Sequence, residues 1–107
     1  MEEVHWNRSY ALEQTDGDEE LLRELLSLFR DSATADLEQI RQAVAVNNAT
    51  GVMEAAHSIK GAAATLGFEI IQVLAREIEE AGRHDSLGSI EAALARLVSL
   101  LDAVPQA

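Results

Sequence analysis

Apolar residues recur at intervals of three and four along most of the chain, which is the spacing of one face of an α-helix. The pattern is clearest over residues 22–29, 52–66, 71–78 and 90–101. These positions are filled mainly by leucine, alanine, isoleucine and valine, whereas aromatics make up 4% of the chain and there is one proline. Because that mixture favours helices over strands, the sequence predicts an all-α fold.

The first half of the chain contains two helix starts. We expect a short helix at residues 9–14, with Tyr10 and Leu12 covering one end of the core. Asp16 is expected to cap a longer helix whose first turn is acidic, which suits the helix dipole. The pattern leaves open whether residues 31–35 break or only bend this helix, and Asp36 could cap a second segment.

The second half predicts three further helices, at about residues 50–66, 68–81 and 87–104. Gly82 is expected to end the second of these in a left-handed conformation. Short connections between amphipathic helices imply antiparallel neighbours. The predicted architecture is therefore an antiparallel four-helix bundle with a short N-terminal accessory helix.

Length, charge and composition limit the functions open to this chain. At 107 residues it is expected to form a single domain, residues 1–107. It contains no cysteine, which excludes disulfides and thiolate chemistry. A net charge of −11 disfavours binding to nucleic acid, because the phosphate backbone is also negative. No apolar run approaches the roughly 20 residues of a membrane span and the N-terminus is acidic, so we expect a cytoplasmic protein.

One histidine is predicted to stand on an exposed helix face. At about 100° per residue, His57 lies about 140° from the centre of the apolar arc of its helix. That arc comprises Val52, Ala56, Ile59, Ala63 and Leu66. The face around the histidine comprises Met53, Lys60, Gly61 and Ala64.

Two of these neighbours resist a purely structural explanation. Lys60 is the only lysine in the chain and lies three residues from His57. Gly61 occupies a helix interior, where glycine costs about 1 kcal/mol relative to alanine. A neutral imidazole can attack phosphorus, and a lysine about 4.5 Å along the helix axis can offset phosphoryl charge. The pattern therefore favours nucleophilic phosphoryl transfer on His57.

The segment A-H-S-I-K-G-A-A-A-T-L-G, residues 56–67, resembles the signature of histidine-containing phosphotransfer (HPt) domains. That signature is a His-x-x-Lys-Gly core with a second glycine six residues later. Flanking similarity over residues 18–29 and 78–83 extends the resemblance to about residues 9–103. The resemblance implies that the chain folds as a four-helix bundle. It also implies that the chain acts in a two-component phosphorelay.

The resemblance implies a role for each residue of the motif. His57 would be phosphorylated, Lys60 would stabilise the phosphoryl group, and Gly61 and Gly67 would permit close docking or tight packing. Glu79 matches the position from which some relatives orient the histidine; a carboxylate can orient the ring but would repel phosphate. From their place on the same helix face as His57, we expect Met53 and Ala64 to form a small apolar docking patch.

The resemblance also implies the partners. Response-regulator receiver domains exchange the phosphoryl group with the histidine and supply Mg²⁺, so the carrier itself is expected to need no cofactor or metal. We expect a monomeric phosphoryl carrier without kinase activity of its own, and a module of a larger sensor kinase, which would add a histidine kinase in the same chain. We expect no contact of this domain with a membrane.

Three alternatives stay open at this stage. The chain could be the phospho-accepting domain of a chemotaxis-type histidine kinase, or a non-catalytic helical adaptor. A metal site of His57, Glu54 and Glu79 is a weaker alternative, because the chain lacks the Glu-x-x-His pair that bundle metal sites use. His5 and His84 are expected to be solvated residues of a terminus and a loop.

Overall fold

The chain, as a computed structural model, is described over residues 6–105, and helices are the regular secondary structure of that part. Its elements are α1 (Arg8–Gln14), α2 (Glu19–Ala45), α3 (Ala49–Leu66), α4 (Glu69–Arg83), a 3-10 turn (Leu87–Ser89) and α5 (Glu91–Asp102). With 27 residues, α2 is about 40 Å long and accounts for the 42 Å long axis of the molecule. No helix among these residues has the length and apolarity to cross a membrane.

Helices α2 to α5 form a closed bundle. Helix α3 packs against α2 and α4, and α5 packs against both α4 and α2, while α1 lies across α3 and α2. The connections are short, so consecutive helices of the bundle run antiparallel. The predicted all-α, antiparallel four-helix bundle with an N-terminal accessory helix is confirmed.

Each bundle helix contributes a fully buried side chain to one core. Ile40, Ile59, Ile78 and Leu97 come from α2, α3, α4 and α5 in turn, and each is 0% exposed. The apolar stripe predicted for α3 is buried along its whole length. The face opposite that stripe is therefore the one that α3 presents to solvent.

Helix α2 differs from the prediction in its continuity and in its N-terminal cap. It runs without a break through residues 31–35. Its cap is Asp18, whose side chain accepts a hydrogen bond from the Leu21 N–H at 3.0 Å. Asp16 has a positive φ of 52° and belongs to the turn that ends α1, so the prediction that it caps α2 was wrong. Asp36 lies inside α2 and caps nothing.

The predicted end of α4 at Gly82 was also wrong. The helix continues to Arg83, and the residue with positive φ is Asp85. The Ser86 N–H then donates to the Ala81 carbonyl at 2.8 Å, which closes the helix end in the Schellman pattern. The last helix begins at Glu91 rather than at residue 87, because the 3-10 turn precedes it.

Residues 6–15 pack against the turn between α3 and α4. The Trp6 indole N–H donates to the Leu66 carbonyl at 2.8 Å, and its ring stacks on Phe68 at 5.4 Å between centroids. Leu12 packs against the core as predicted, but Tyr10 is 40% exposed, and Ala11 is the buried residue of α1. The contacts of Trp6 therefore stabilise the turn that leads from α3 into α4.

Gly82 sets the closest approach of α3 and α4. A Cβ at this position would lie 2.8 Å from both the Ala49 carbonyl oxygen and the Met53 backbone nitrogen. Since both are backbone atoms, neither can move aside without shifting the helix. Helix α4 can therefore lie against the N-terminal half of α3 only with glycine here.

We predict that Gly82→Ala lowers the free energy of unfolding by about 1–3 kcal/mol, because the added methyl group overpacks the α3–α4 contact. Urea denaturation measures the change. Gly88→Ala is the matched control, since a Cβ there would meet nothing within 4 Å. Equal stability of the Gly82 variant and the wild type would contradict this account of the contact.

Candidate functional site

His57 lies midway along α3 with its ring open to solvent. The side chain is 67% exposed, and its Nδ1 lies 2.7 Å from Oε2 of Glu79. The exposure follows from the position of His57 opposite the buried stripe of α3. The ring is therefore accessible to a partner and held at one nitrogen.

Glu79 is the buried centre of the site. It stands on the face of α4 that packs against α3, next to Ile78, and its side chain is only 3% exposed. Its Oε1 accepts a hydrogen bond from the Lys60 ammonium at 2.6 Å, and the Arg83 guanidinium lies 3.5 Å from Oε2. Each oxygen of this carboxylate is thus matched by a nitrogen donor.

These contacts fix the ionisation state of Glu79. Burial alone would raise the pKa of this carboxyl, but the hydrogen bonds from Lys60 and His57, with the charge of Lys60, outweigh it and hold the pKa below its ordinary value. The group is therefore a carboxylate at neutral pH and can only accept hydrogen bonds. The proton of a neutral His57 must then lie on Nδ1, which leaves the lone pair on Nε2.

Lys60 lies on the α4 side of His57 and is 25% exposed at its side chain. Its position one turn along α3 matches the prediction, but its ammonium contacts Glu79 directly. Lysine and histidine therefore share one carboxylate. The lysine charge is close to the imidazole through this shared partner.

The structure separates the other predicted residues into two groups. Met53 lines an open cleft with His57 and Glu79, and Gly61 is exposed, with open space where a Cβ would stand. Ala64, seven residues after His57 on α3, is partly buried and does not line that cleft. Gly67 lies elsewhere: it is buried, has a φ of 79° as the cap of α3, and a Cβ would lie 2.9 Å from the Asn7 carbonyl oxygen. Packing, rather than partner docking, accounts for Gly67.

The metal alternative does not fit this arrangement. Within residues 6–105 no group of three histidine or carboxylate side chains is placed to hold a metal ion. Glu54 lines the same cleft as His57, but the cations of Lys60 and Arg83 already meet Glu79 and would repel a metal ion. His84 is 68% exposed and lies 3.5 Å from Glu80. His5 lies outside the described residues.

Sequence reasoning missed two parts of the site. Arg83 lies four residues after Glu79 on α4, and that spacing is a signal that could have identified it. The Ser58 hydroxyl donates to the Asp36 carboxylate at 2.7 Å and ties α3 to α2 at the level of His57. No spacing rule links residues that lie 22 positions apart, so this second contact could not be read from the sequence.

We predict that Glu79→Gln lowers the free energy of unfolding by about 1–3 kcal/mol at pH 7, because Lys60 loses its charged partner. A carboxyl with a lowered pKa in the folded state stabilises the fold above its ordinary value of 4.5, and this stabilisation is lost as the pH falls through the folded pKa. The difference between the wild type and the variant should therefore shrink below pH 4.5.

Urea denaturation of both proteins from pH 7 down to pH 3 measures this difference. Glu77→Gln, which removes an exposed carboxylate from the same helix, is the control. A difference that stays constant over the whole pH range would contradict the ion pairing assigned to Glu79.

Comparison with known proteins identifies the family. A profile described as the Hpt domain matches residues 24–107. Histidine-containing phosphotransfer protein B (HptB) from Pseudomonas aeruginosa PAO1 has a similar structure, with a TM-score of 0.86 at 21% identity, over 94% of this chain and 87% of that chain. No curated protein matches the sequence.

A second solved structure is the HPT domain of an Hpt sensor hybrid histidine kinase from Shewanella. It has a TM-score of 0.76 at 26% identity, over 92% of this chain and 86% of that chain. Together with the profile match, these structures support histidine phosphotransfer in a two-component phosphorelay. The chain belongs to the Hpt domain family.

Proposed function

We propose that this chain carries a phosphoryl group on Nε2 of His57, accepting it from the aspartate of one receiver domain and passing it to that of another. One observation carries the proposal. The ring of His57 is 67% exposed while its Nδ1 lies 2.7 Å from the buried carboxylate of Glu79. A phosphoryl carrier needs this combination of access and fixed orientation.

The hydrogen bond to Glu79 selects the nucleophilic atom. A neutral imidazole has one N–H and one lone pair, and the acceptor at Nδ1 takes the N–H. Nε2 is on the opposite side of the ring from that contact, so its lone pair is directed away from Glu79. An incoming phosphorus atom therefore meets the basic nitrogen of an already oriented ring.

The transfer step balances without a proton leaving the site. The Nε2–P bond forms as the bond between phosphorus and the aspartyl oxygen breaks, and the bonding pair returns to the aspartate as a carboxylate. The His57 ring then carries a positive charge, because its Nδ1 proton stays in place. Glu79 stabilises that charge, as the buried carboxylate of a Ser-His-Asp triad stabilises its imidazolium. The second transfer is the same step in reverse.

The cations of the site serve mainly to neutralise Glu79. Lys60 and Arg83 both contact that carboxylate, so it repels an incoming phosphoryl group less than a bare carboxylate would. Glu54 and Glu80 stand close by, and Glu80 pairs with Arg83. A site with so little excess positive charge holds phosphate weakly, which suits a carrier that must release it.

The proposal assigns the remaining groups to the partner. Mg²⁺ belongs to the receiver domain, and the carrier requires no cofactor because its own side chains neutralise the site.

All groups of the site come from α3 and α4 of one chain, which supports a monomer. The Shewanella neighbour belongs to a sensor hybrid histidine kinase, which supports a receiver of such a kinase as the donor. We place the exchange in the cytoplasm.

We predict that a receiver domain phosphorylated with ³²P labels the wild-type chain, that the label is lost in acid, and that His57→Gln reduces labelling at least 100-fold. His84→Gln is the matched control, because it removes another exposed histidine and should be labelled like the wild type. Gel autoradiography over a time course measures all three proteins.

Two outcomes would contradict the proposal. Undiminished labelling of the His57 variant would place the phosphoryl group elsewhere. Failure of the wild type to accept label from several receivers would favour the non-catalytic adaptor.

A further inference from the structure

Met53 is an apolar residue that the fold does not use to fill its core. It is partly buried on α3, but it belongs neither to the buried core nor to the partly buried apolar residues that pack against that core. Its side chain instead lines the open cleft that contains His57 and Glu79. The thioether of Met53 is therefore part of a solvent-open surface beside the proposed nucleophile.

The backbone of Met53 is held against α4. A Cβ at Gly82 would lie only 2.8 Å from the Met53 nitrogen and 3.1 Å from its Cα. Met53 also lies four residues before His57, so the two side chains are neighbours on one face of α3. The thioether is therefore kept about one helical turn from the imidazole.

The composition of the chain leaves one sulfur atom at this site. The sequence contains no cysteine and two methionines, Met1 and Met53. Met53 is the one that lies within residues 6–105. Peroxides oxidise a methionine thioether to a sulfoxide, which reductases convert back. Because the chain has no thiol, Met53 is the side chain beside His57 that can undergo a reversible oxidation of sulfur.

Oxidation of Met53 would make the cleft more polar next to a cation. A sulfoxide oxygen accepts hydrogen bonds, whereas a thioether is at most a weak acceptor. The Arg83 side chain lines the same cleft, is 47% exposed and lies 3.5 Å from Oε2 of Glu79. The sulfoxide therefore offers the guanidinium a second acceptor, in competition with Glu79.

Both consequences of the sulfoxide oppose phosphoryl transfer. A polar group on this surface must lose its water when a receiver domain covers His57, which weakens binding unless the receiver supplies a hydrogen-bond partner. With Arg83 drawn away, the carboxylate of Glu79 is less well neutralised and repels an incoming phosphoryl group more strongly. A chain oxidised at Met53 should therefore accept the phosphoryl group more slowly.

We propose that Met53 is a site of reversible oxidation by peroxide, and that this oxidation slows phosphoryl transfer to His57. The inference rests on the proposed function, because it assigns an oxidative control to that transfer. The thioether sulfur attacks one oxygen of hydrogen peroxide, so that an S–O bond forms and the O–O bond breaks. The sulfur loses two electrons, and the second oxygen leaves as water with both protons. A methionine sulfoxide reductase reverses the step at the expense of a dithiol.

Phosphoryl transfer before and after peroxide treatment tests this proposal. The chain is treated with hydrogen peroxide, freed of it by gel filtration and mixed with a ³²P-labelled receiver domain that labels the untreated wild type. Peptide mass spectrometry detects an added oxygen at Met53 separately from one at Met1. Met53→Leu is the matched control, because it replaces the thioether by a hydrocarbon side chain. Each protein is compared with its own untreated form, and circular dichroism verifies that it is folded.

We expect oxidation of Met53 to lower the labelling rate of the wild type at least fivefold, because both binding and charge neutralisation are impaired. Methionine sulfoxide reductase with dithiothreitol should return that rate to within twofold of the untreated value. The treated Met53→Leu protein should stay within twofold of its own untreated rate, since it lacks the sulfur beside His57.

The same measurements contain the results that would overturn the inference. A wild type in which peroxide oxidises Met1 but leaves Met53 reduced would show that this sulfur is not accessible. Unchanged transfer by chain oxidised at Met53, or an equal loss in the Met53→Leu protein, would overturn the inference and leave the proposed function intact. An untreated wild type that no receiver labels would remove the proposed function, and this inference with it.

Discussion

The site depends on one buried carboxylate that three side chains share. Glu79 is removed from water in the interface between α3 and α4, where an unpaired charge would be strongly unfavourable. The hydrogen bonds from Lys60 and His57 and the nearby Arg83 make this burial possible. The same contacts orient the imidazole. The hydrogen bonds that stabilise the buried carboxylate therefore also position the nucleophile.

The contacts of Glu79 with His57 and Lys60 require α3 and α4 to pack at a fixed axial register and distance. Gly82 lets α4 approach the backbone of α3, and the left-handed Gly67 turns the chain from one helix directly into the next. On the other side, Ser58 binds Asp36 of α2. Helix α3 is therefore held from both sides at the level of His57. The ring can stand exposed without losing its orientation, because the helix that carries it is fixed.

Much of this arrangement could be predicted from the sequence, because it follows from helical periodicity. The buried stripe of α3 placed His57 and Gly61 on the exposed face, and the resemblance to HPt domains identified Glu79 as the matching position on α4. Helix ends were less predictable. Asp16 and Gly82 are residue types that often stand at helix ends, but the backbone angles and packing contacts that decide where a helix ends depend on the folded chain.

The contacts between helices could not be predicted from local patterns at all. Glu79 lies 22 residues from His57, and their contact depends on the register that the turn at Gly67 sets. The contact between Arg83 and Glu79 differs because it lies within α4, where a spacing of four residues is a local signal.

Nitrogen-15 NMR of chain labelled in its histidine rings, recorded before and after phosphorylation, tests the central claim most directly. The account predicts that free His57 carries its proton on Nδ1 and that the phosphoryl group then couples to Nε2 while the Nδ1 proton remains. A free ring protonated on Nε2, or a phosphoryl group bonded to Nδ1, would contradict the role assigned to Glu79.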